Sequence, residues 1–491
     1  MVCVRRLKHD PIFGVDSRWS WITAFFCAWV LFLGMATPRI AGIFFYGIIE
    51  TFGVTRAEAS WPVSLAGTFT VIGGPIAGYL CQRFSCRAVL LACSSLAGIG
   101  ASSCYLAKSL LFITISFGFV HGAALCGFFV ACNVLVAQHF EKRRATATSL
   151  VFTVFGFNSV ILSPLLEFFR TTYGVRGAFL LYGAILLNAI PAVIVLRSPP
   201  WLTKQKVTST VAKCEEEDDG NVSRILIESA NIDADVRSGP EKENARQHSN
   251  QPSNWEPGRL YYILIFPQRQ GNSLTLSFLV HALSYAAIVF TVGVFVLIPA
   301  DLASDRGLNP SNVVYFLQAF SAADIVFRSL VGFAIDSGTL SYEFLMLLGF
   351  TLQGLTYEWL VWANTLPQMI AASAFVGATF GSRSCLLAPA LVKDFGIGTL
   401  PVIMGGVLFC TGVSLLLRPP LIGHYRDTYG DYTGLLHLMA VLNAFFVCIW
   451  ALKLAAERRS RTTASTSTYG LATKFYKQER QRITSDSVKE H

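Results

Sequence analysis

Charge is what this 491-residue sequence has least of: Asp, Glu, Lys and Arg make up 14% of it, against about 25% in an ordinary soluble domain. A water-soluble globular chain is excluded. The twelve cysteines show no CxxC spacing, and most of them, Cys27, Cys81, Cys126, Cys385, Cys410 and Cys448 included, lie in or beside apolar runs. They read as small hydrophobes rather than a zinc site or a disulfide framework. No HExxH, no GxSxG and no clustered His and Asp is present, so neither an enzyme nor a metal or other cofactor is expected. The net charge of +9 is gathered in loops and tails without a continuous basic stripe, which argues against nucleic acid as a partner.

What is abundant is apolar sequence: 53% of residues are hydrophobic and the mean hydropathy is +0.51. Crossing a bilayer takes about 20 apolar residues, and runs of that kind lie near 21–48, 61–82, 88–107, 109–136, 146–168 and 177–196. Six more lie near 273–299, 312–335, 343–363, 367–392, 399–420 and 432–455. Between the two sets, the segment 199–270 holds the acidic run Glu215 to Asp219 and many Ser, Asn and Gln residues, too little apolar surface to bury a core, and is expected to be a disordered linker. The expectation is an all-α membrane protein with twelve transmembrane helices in two six-helix halves, 19–198 and 271–456, between end segments 1–18 and 457–491. Two such halves joined by a linker match a pair of repeats related by an axis along the membrane normal.

Orientation follows the basic residues. With the N-terminus inside, the inner side collects Arg5, Arg6, Lys8, Arg18, Arg83, Arg87, Lys142, Arg143, Arg144, Lys393, Lys453, Arg458 and Arg459, while the outer loops hold chiefly Arg56, Lys108, Arg170, Arg176, Arg306 and Arg426. Both termini and the linker are therefore expected in the cytoplasm, leaving the sequon Asn221-Val-Ser223 unmodified. The first apolar run has no small-residue cleavage site after it, which predicts a retained signal anchor. The Arg-, Lys-, Ser- and Thr-rich tail after Arg458 is a solvated tail or a contact for anionic lipid.

Because charge is rare, its position inside the spans is informative. Asp324 and Arg328 lie four residues apart in the eighth span, which puts both on one helix face. A charge facing lipid costs roughly 2.5–3.5 kcal/mol on insertion scales, so the pair must face protein or a water-filled path. From the residues alone it is either a structural ion pair or a binding site. Arg39 follows Pro38 in the first span and Arg383 lies in the tenth. Arg39 pairs with a carbonyl freed by the proline or adds to a site, and Arg383 snorkels to the inner surface or does the same. Three arginines against one aspartate leave excess positive charge for an anion to balance, and a guanidinium suits holding a carboxylate rather than relaying a proton. Asp324 is the proton carrier on this reading. His121 and His281 are packing histidines or proton sites, and Gly73, Gly74, Pro75, Gly78, Gly405 and Gly406 are packing and hinge elements.

The segment Asp16-Ser-Arg-Trp-Ser-Trp21, with Trp19 and Trp21, resembles the acidic, Trp-containing signature that opens the monocarboxylate transporter family of the major facilitator superfamily. His139-Phe-Glu-Lys-Arg-Arg-Ala-Thr-Ala-Thr148, with Lys142, Arg143 and Arg144, is similar to that family's second signature, before the fifth span. Gly78 to Arg87, with Arg83 and Arg87, resembles the superfamily's loop between the second and third spans, with Gln82 where an acidic residue is usual, and Arg426-Asp-Thr-Tyr-Gly-Asp-Tyr432 matches before the last span.

The resemblance implies the major facilitator fold, alternating access and transport of a small organic anion such as lactate or pyruvate with a proton. It puts carboxylate binding on Arg328, proton coupling on Asp324, a charged contact at the first-span position of Arg39 and a size-limiting position near Phe380, while Arg383 is expected at the substrate from its intramembrane charge. The signature residues would form the conformational motifs. It also implies the plasma membrane, contact with the bilayer, and, for some members, a single-span immunoglobulin-like chaperone. Where proton-coupled members have lysine after the first-span proline, this chain has Arg39. The alternative is a proton-independent facilitative carrier of a bulkier solute, an aromatic amino acid, iodothyronine or polyol.

Overall fold

The computed structural model describes residues 10, 12–197, 199, 272–308 and 313–456. The acidic run, the sequon and the tail after Arg458 lie outside the described residues. Nine helices among those described are long and apolar enough to cross a membrane, and a tenth forms if one bent pair is joined. Further crossings are made by spans broken into shorter pieces.

The first span is two helices, Arg18–Gly34 and Thr37–Phe52, not the continuous helix expected near 21–48. The break falls just before Pro38, which is accepted in a first helical turn but not in a helix interior. Arg56–Ile72 and Gly74–Arg83 make the second span, bent by 46° at Gly73. Its start is marked by a capping box in which Thr55 and Glu58 satisfy each other's backbone N–H. Cys86–Leu106 is the third span and Leu110–His139 the fourth. The fifth and sixth run through Arg144–Gly156, Asn158–Leu187 and Ala189–Val195 and are separated at Gly174. There φ is 71° and ψ 175°, a conformation that a side chain would strain.

In the second set, Asn272–Leu297 is the seventh span, Val313–Asp336 the eighth and Tyr342–Trp362 the ninth. Leu366–Ser384 with Leu387–Phe395 is the tenth, Leu400–Leu416 with Arg418–Tyr429 the eleventh, and Thr433–Ala456 the twelfth. Phe25, Leu96, Ile115, Leu330, Leu355 and Trp362 are exposed. So many outward apolar side chains suit contact with lipid and not with water.

Two compact units are present: Met1–Leu279 with Leu391–Gly412, and Val280–Ala390 with Val413–His491. In the first, the second and eleventh spans touch backbone to backbone, with Gly74 against the Gly405 carbonyl and Gly78 against that of Pro401. Apolar burial drives little association in a lipid solvent, so such close approach of small residues is what joins helices there. The second unit is filled by Phe295, Phe316, Phe320, Tyr357, Met369, Leu435 and Met439.

Candidate functional site: a buried ion pair on the eighth span

Arg328 and Asp324 sit in the second unit with side chains only 2% and 1% exposed, and Arg328 Nε donates to Asp324 Oδ1 at 2.7 Å. The helical repeat brings them together, and mutual neutralisation makes their burial tolerable. The tenth span closes over them because it carries no side chain where it crosses. Gly377 lies against the Phe320 carbonyl, and a Cβ on Gly381 would press on the Asp324 carbonyl and come within 2.9 Å of its Oδ1. Phe380, on the same turn, places its ring 5.2 Å from the Arg328 guanidinium carbon, a cation–π distance. Phe320 lies beyond it at 6.1 Å. Tyr285 and Cys385 are close enough for the charge of Arg328 to act on them. The structure thus gathers Asp324, Arg328 and Phe380 in one place. An arginine so held can take a carboxylate through its planar fork, with Asp324 as the competing anion.

Arg383 is elsewhere. Two residues beyond Gly381 is about 200° around a helix, and Arg383 faces the ninth span. Its Nε donates to the Thr379 carbonyl at 2.8 Å, an Nη donates to Gln353, and the guanidinium carbon lies 4.6 Å from the Phe350 ring. Its side chain packs on Gly349, and the residue is 1% exposed, so it does not snorkel. Among the described residues its Nη1 has no hydrogen-bond partner. The Gln353 amide nitrogen bonds in turn to Tyr357 Oη at 3.1 Å and Thr291 Oγ1 at 3.3 Å. Sequence reading missed Gln353, Tyr357 and Thr291; the signal for them was amide and hydroxyl groups in apolar spans. A cavity of about 490 Å³ between the eighth, ninth and tenth spans is lined by Ala323, Phe327, Leu352 and Phe375 and is almost wholly apolar, so the ion pair is not its chemistry.

In the first unit the two signature segments meet. Asp16, at φ 56°, accepts hydrogen bonds from the backbone N–H groups of Glu141, Lys142 and Arg143 at 3.0–3.4 Å, and its own N–H donates to the His139 carbonyl. A carboxylate there anchors a turn whose donors have no helix of their own to bond. Trp21 stacks edge-on with Phe140 at 4.9 Å, Trp19 lies 5.2 Å from the Arg197 guanidinium carbon, and Arg144 Nε donates to the Ala137 and Phe140 carbonyls. Arg83 bonds Tyr79 Oη and Arg87 the Ile194 carbonyl, at 2.9 and 2.7 Å. Arg39 lies in the first turn of Thr37–Phe52; its side chain falls outside the described residues.

A bundle of apolar helices long enough to cross a bilayer, with a buried ion pair on one of them, defines a multi-pass membrane protein. A family model for the major facilitator superfamily matches residues 24–382, and the chain belongs to that superfamily. It is similar to monocarboxylate transporter 2 of Homo sapiens, 24% identical over 86% of this chain and 82% of the relative. Monocarboxylate transporter 12 of Rattus norvegicus is 23% identical over 91% and 88%. Among solved structures, the proton:xylose symporter XylE superposes with a TM-score of 0.63 at 12% identity, covering 88% of this chain and 94% of XylE. The transporter FucP in its outward conformation gives 0.62 at 13%, covering 88% and 99%. The chain is a secondary transporter and not an enzyme.

Proposed function

We propose that this transporter moves a small monocarboxylate, of the lactate or pyruvate kind, across the plasma membrane by alternating access and together with a proton. The observation that carries the reading is the buried contact between Arg328 and Asp324 on the eighth span. The carboxylate binds the Arg328 guanidinium, with Phe380 beside it and Arg383 adding positive potential; in the first unit, Arg39 is a candidate contact for the anion. As the substrate competes for Arg328, Asp324 loses its compensating charge, the condition under which a carboxylate takes a proton. Release on the other side restores the pair. Asp16, Trp19 and Trp21, with Lys142, Arg143 and Arg144, brace the loop between the fourth and fifth spans as the halves move, and Arg83 and Arg87 do so after the second. The linker 199–270 and both termini lie in the cytoplasm, and similarity to monocarboxylate transporters supports an organic anion as substrate.

The test is uptake of labelled lactate and pyruvate by Arg328→Ala at matched surface expression. Uptake is abolished on this reading; unchanged uptake removes the site assignment. Arg39 favours a second reading, a proton-independent carrier of a bulkier solute, because a step needing a deprotonated amine is closed to arginine. Uptake at pH 6 and pH 8 separates the two, since only symport accumulates substrate as external pH falls.

A further inference from the structure

The break in the first span is tied down by three buried polar groups from three different spans. Thr37 is the first residue of Thr37–Phe52, and the cap position before it is Ala36, so no side chain caps this helix. Its hydroxyl turns outward. Oγ1 lies 2.8 Å from His121 Nε2 on the fourth span and 2.7 Å from Tyr182 Oη on the sixth, and the three residues are 2%, 0% and 0% exposed. His121 Nδ1 lies 3.0 Å from the Ala97 carbonyl on the third span.

These contacts assign every proton for a neutral imidazole. A carbonyl only accepts, so Nδ1 carries the hydrogen and Nε2 is the bare acceptor. Thr37 therefore donates to Nε2, and the same oxygen accepts from Tyr182. His121 ends a π-helical stretch, Thr114–His121, a form concentrated at functional positions in helices. Its ring stacks on Phe117 at 4.8 Å, Phe117 meets Phe44 at 5.3 Å, and Phe44 stacks on Phe179 at 4.2 Å. The aromatic cluster walls off the hydroxyl chain from competing water. Arg39 follows Thr37 by two residues in the same turn.

We propose that Thr37, His121 and Tyr182 form a clasp that fixes the break in the first span and so positions the turn bearing Arg39 for the anion. They are positioning residues. The proposal rests on the reading of Arg39 as part of the anion site, and the clasp itself has a readout that does not need transport.

The test uses full-length protein in proteoliposomes, with counterflow of radiolabelled L-lactate as one arm. The other arm is the rate at which phenylglyoxal modifies Arg39, read by peptide mass spectrometry. Thr37→Val removes the hydroxyl at nearly constant shape, Thr37→Ser retains it, and Tyr182→Phe removes one donor. The expected result is a half-saturation concentration raised about tenfold in Thr37→Val, a loss of about 1.4 kcal/mol of binding free energy, with maximal rate retained. Tyr182→Phe shows a smaller rise. Thr37→Ser stays near the wild type, and the Arg39 modification rate changes in Thr37→Val but not in Thr37→Ser. Wild-type half-saturation and wild-type Arg39 reactivity in Thr37→Val overturn the clasp, as does a Thr37→Ser variant that behaves like Thr37→Val. If the wild type carries no lactate, the substrate reading fails, and Arg39 reactivity alone decides the clasp.

Discussion

Gly381 leaves room for Asp324: any Cβ at position 381 would press on the Asp324 backbone carbonyl. The eighth and tenth spans meet there without a side chain between them, so the ion pair and the helix crossing form one structural unit. Gly381→Ala should therefore destabilise the protein by about 1–3 kcal/mol, the usual cost of overpacking. The same change should raise the half-saturation concentration for lactate, because the Asp324 carboxylate must shift. Thermal unfolding in detergent and concentration-dependent uptake check the two parts.

Breaking the pair from one side leaves a buried charge uncompensated. Asp324→Asn and Arg328→Ala should each cost about 3–5 kcal/mol, seen as a fall in the unfolding midpoint of purified protein. Asp324→Asn keeps a hydrogen-bond acceptor and should retain more stability than Asp324→Leu. Equal midpoints for those two variants would show that Nε gains nothing from an acceptor there.

Gln353 supplies the acceptor for Arg383. Gln353→Leu should lower stability by about 1–3 kcal/mol, since a buried donor loses its partner. Gln353→Glu gives Arg383 a counter-charge and should fold well, while the lost positive potential weakens lactate binding. If Gln353→Glu binds lactate as tightly as wild type, Arg383 is structural.

Asp16 is predicted to act on the loop and not on the substrate. Asp16→Ala removes the acceptor shared by three backbone N–H groups and should cost about 1–3 kcal/mol, in line with hydrogen bonds to a charged group. Uptake should show a reduced maximal rate at nearly constant half-saturation concentration.

Much of this was legible in the sequence because membrane spans are written in apolar length and rare charge. The spans, the Asp324–Arg328 spacing and the two signature segments all come from local pattern. Their meeting at Asp16 does not, since it depends on a carboxylate reaching a loop more than a hundred residues away. The bend at Gly73 falls on a glycine whose sequence context reads as a hinge, while the break before Thr37 lies within a run that reads as one span. Arg383 was grouped with Arg328 by charge alone, whereas two residues of helical rotation turn it toward the ninth span. Thr37, Tyr182 and Gln353 carry no charge or motif; a polar group in an apolar span is their one trace in the sequence, and three-dimensional placement gives it meaning.

The most direct test replaces the pair as a pair. Asp324→Leu combined with Arg328→Met removes both charges at similar volume, an exchange that buried ion pairs often tolerate or gain from. The double variant should recover the unfolding midpoint lost by the single variants and reach the membrane, yet show no counterflow of labelled lactate in proteoliposomes. Wild-type counterflow in the double variant would make the pair a structural clamp and place the anion site elsewhere.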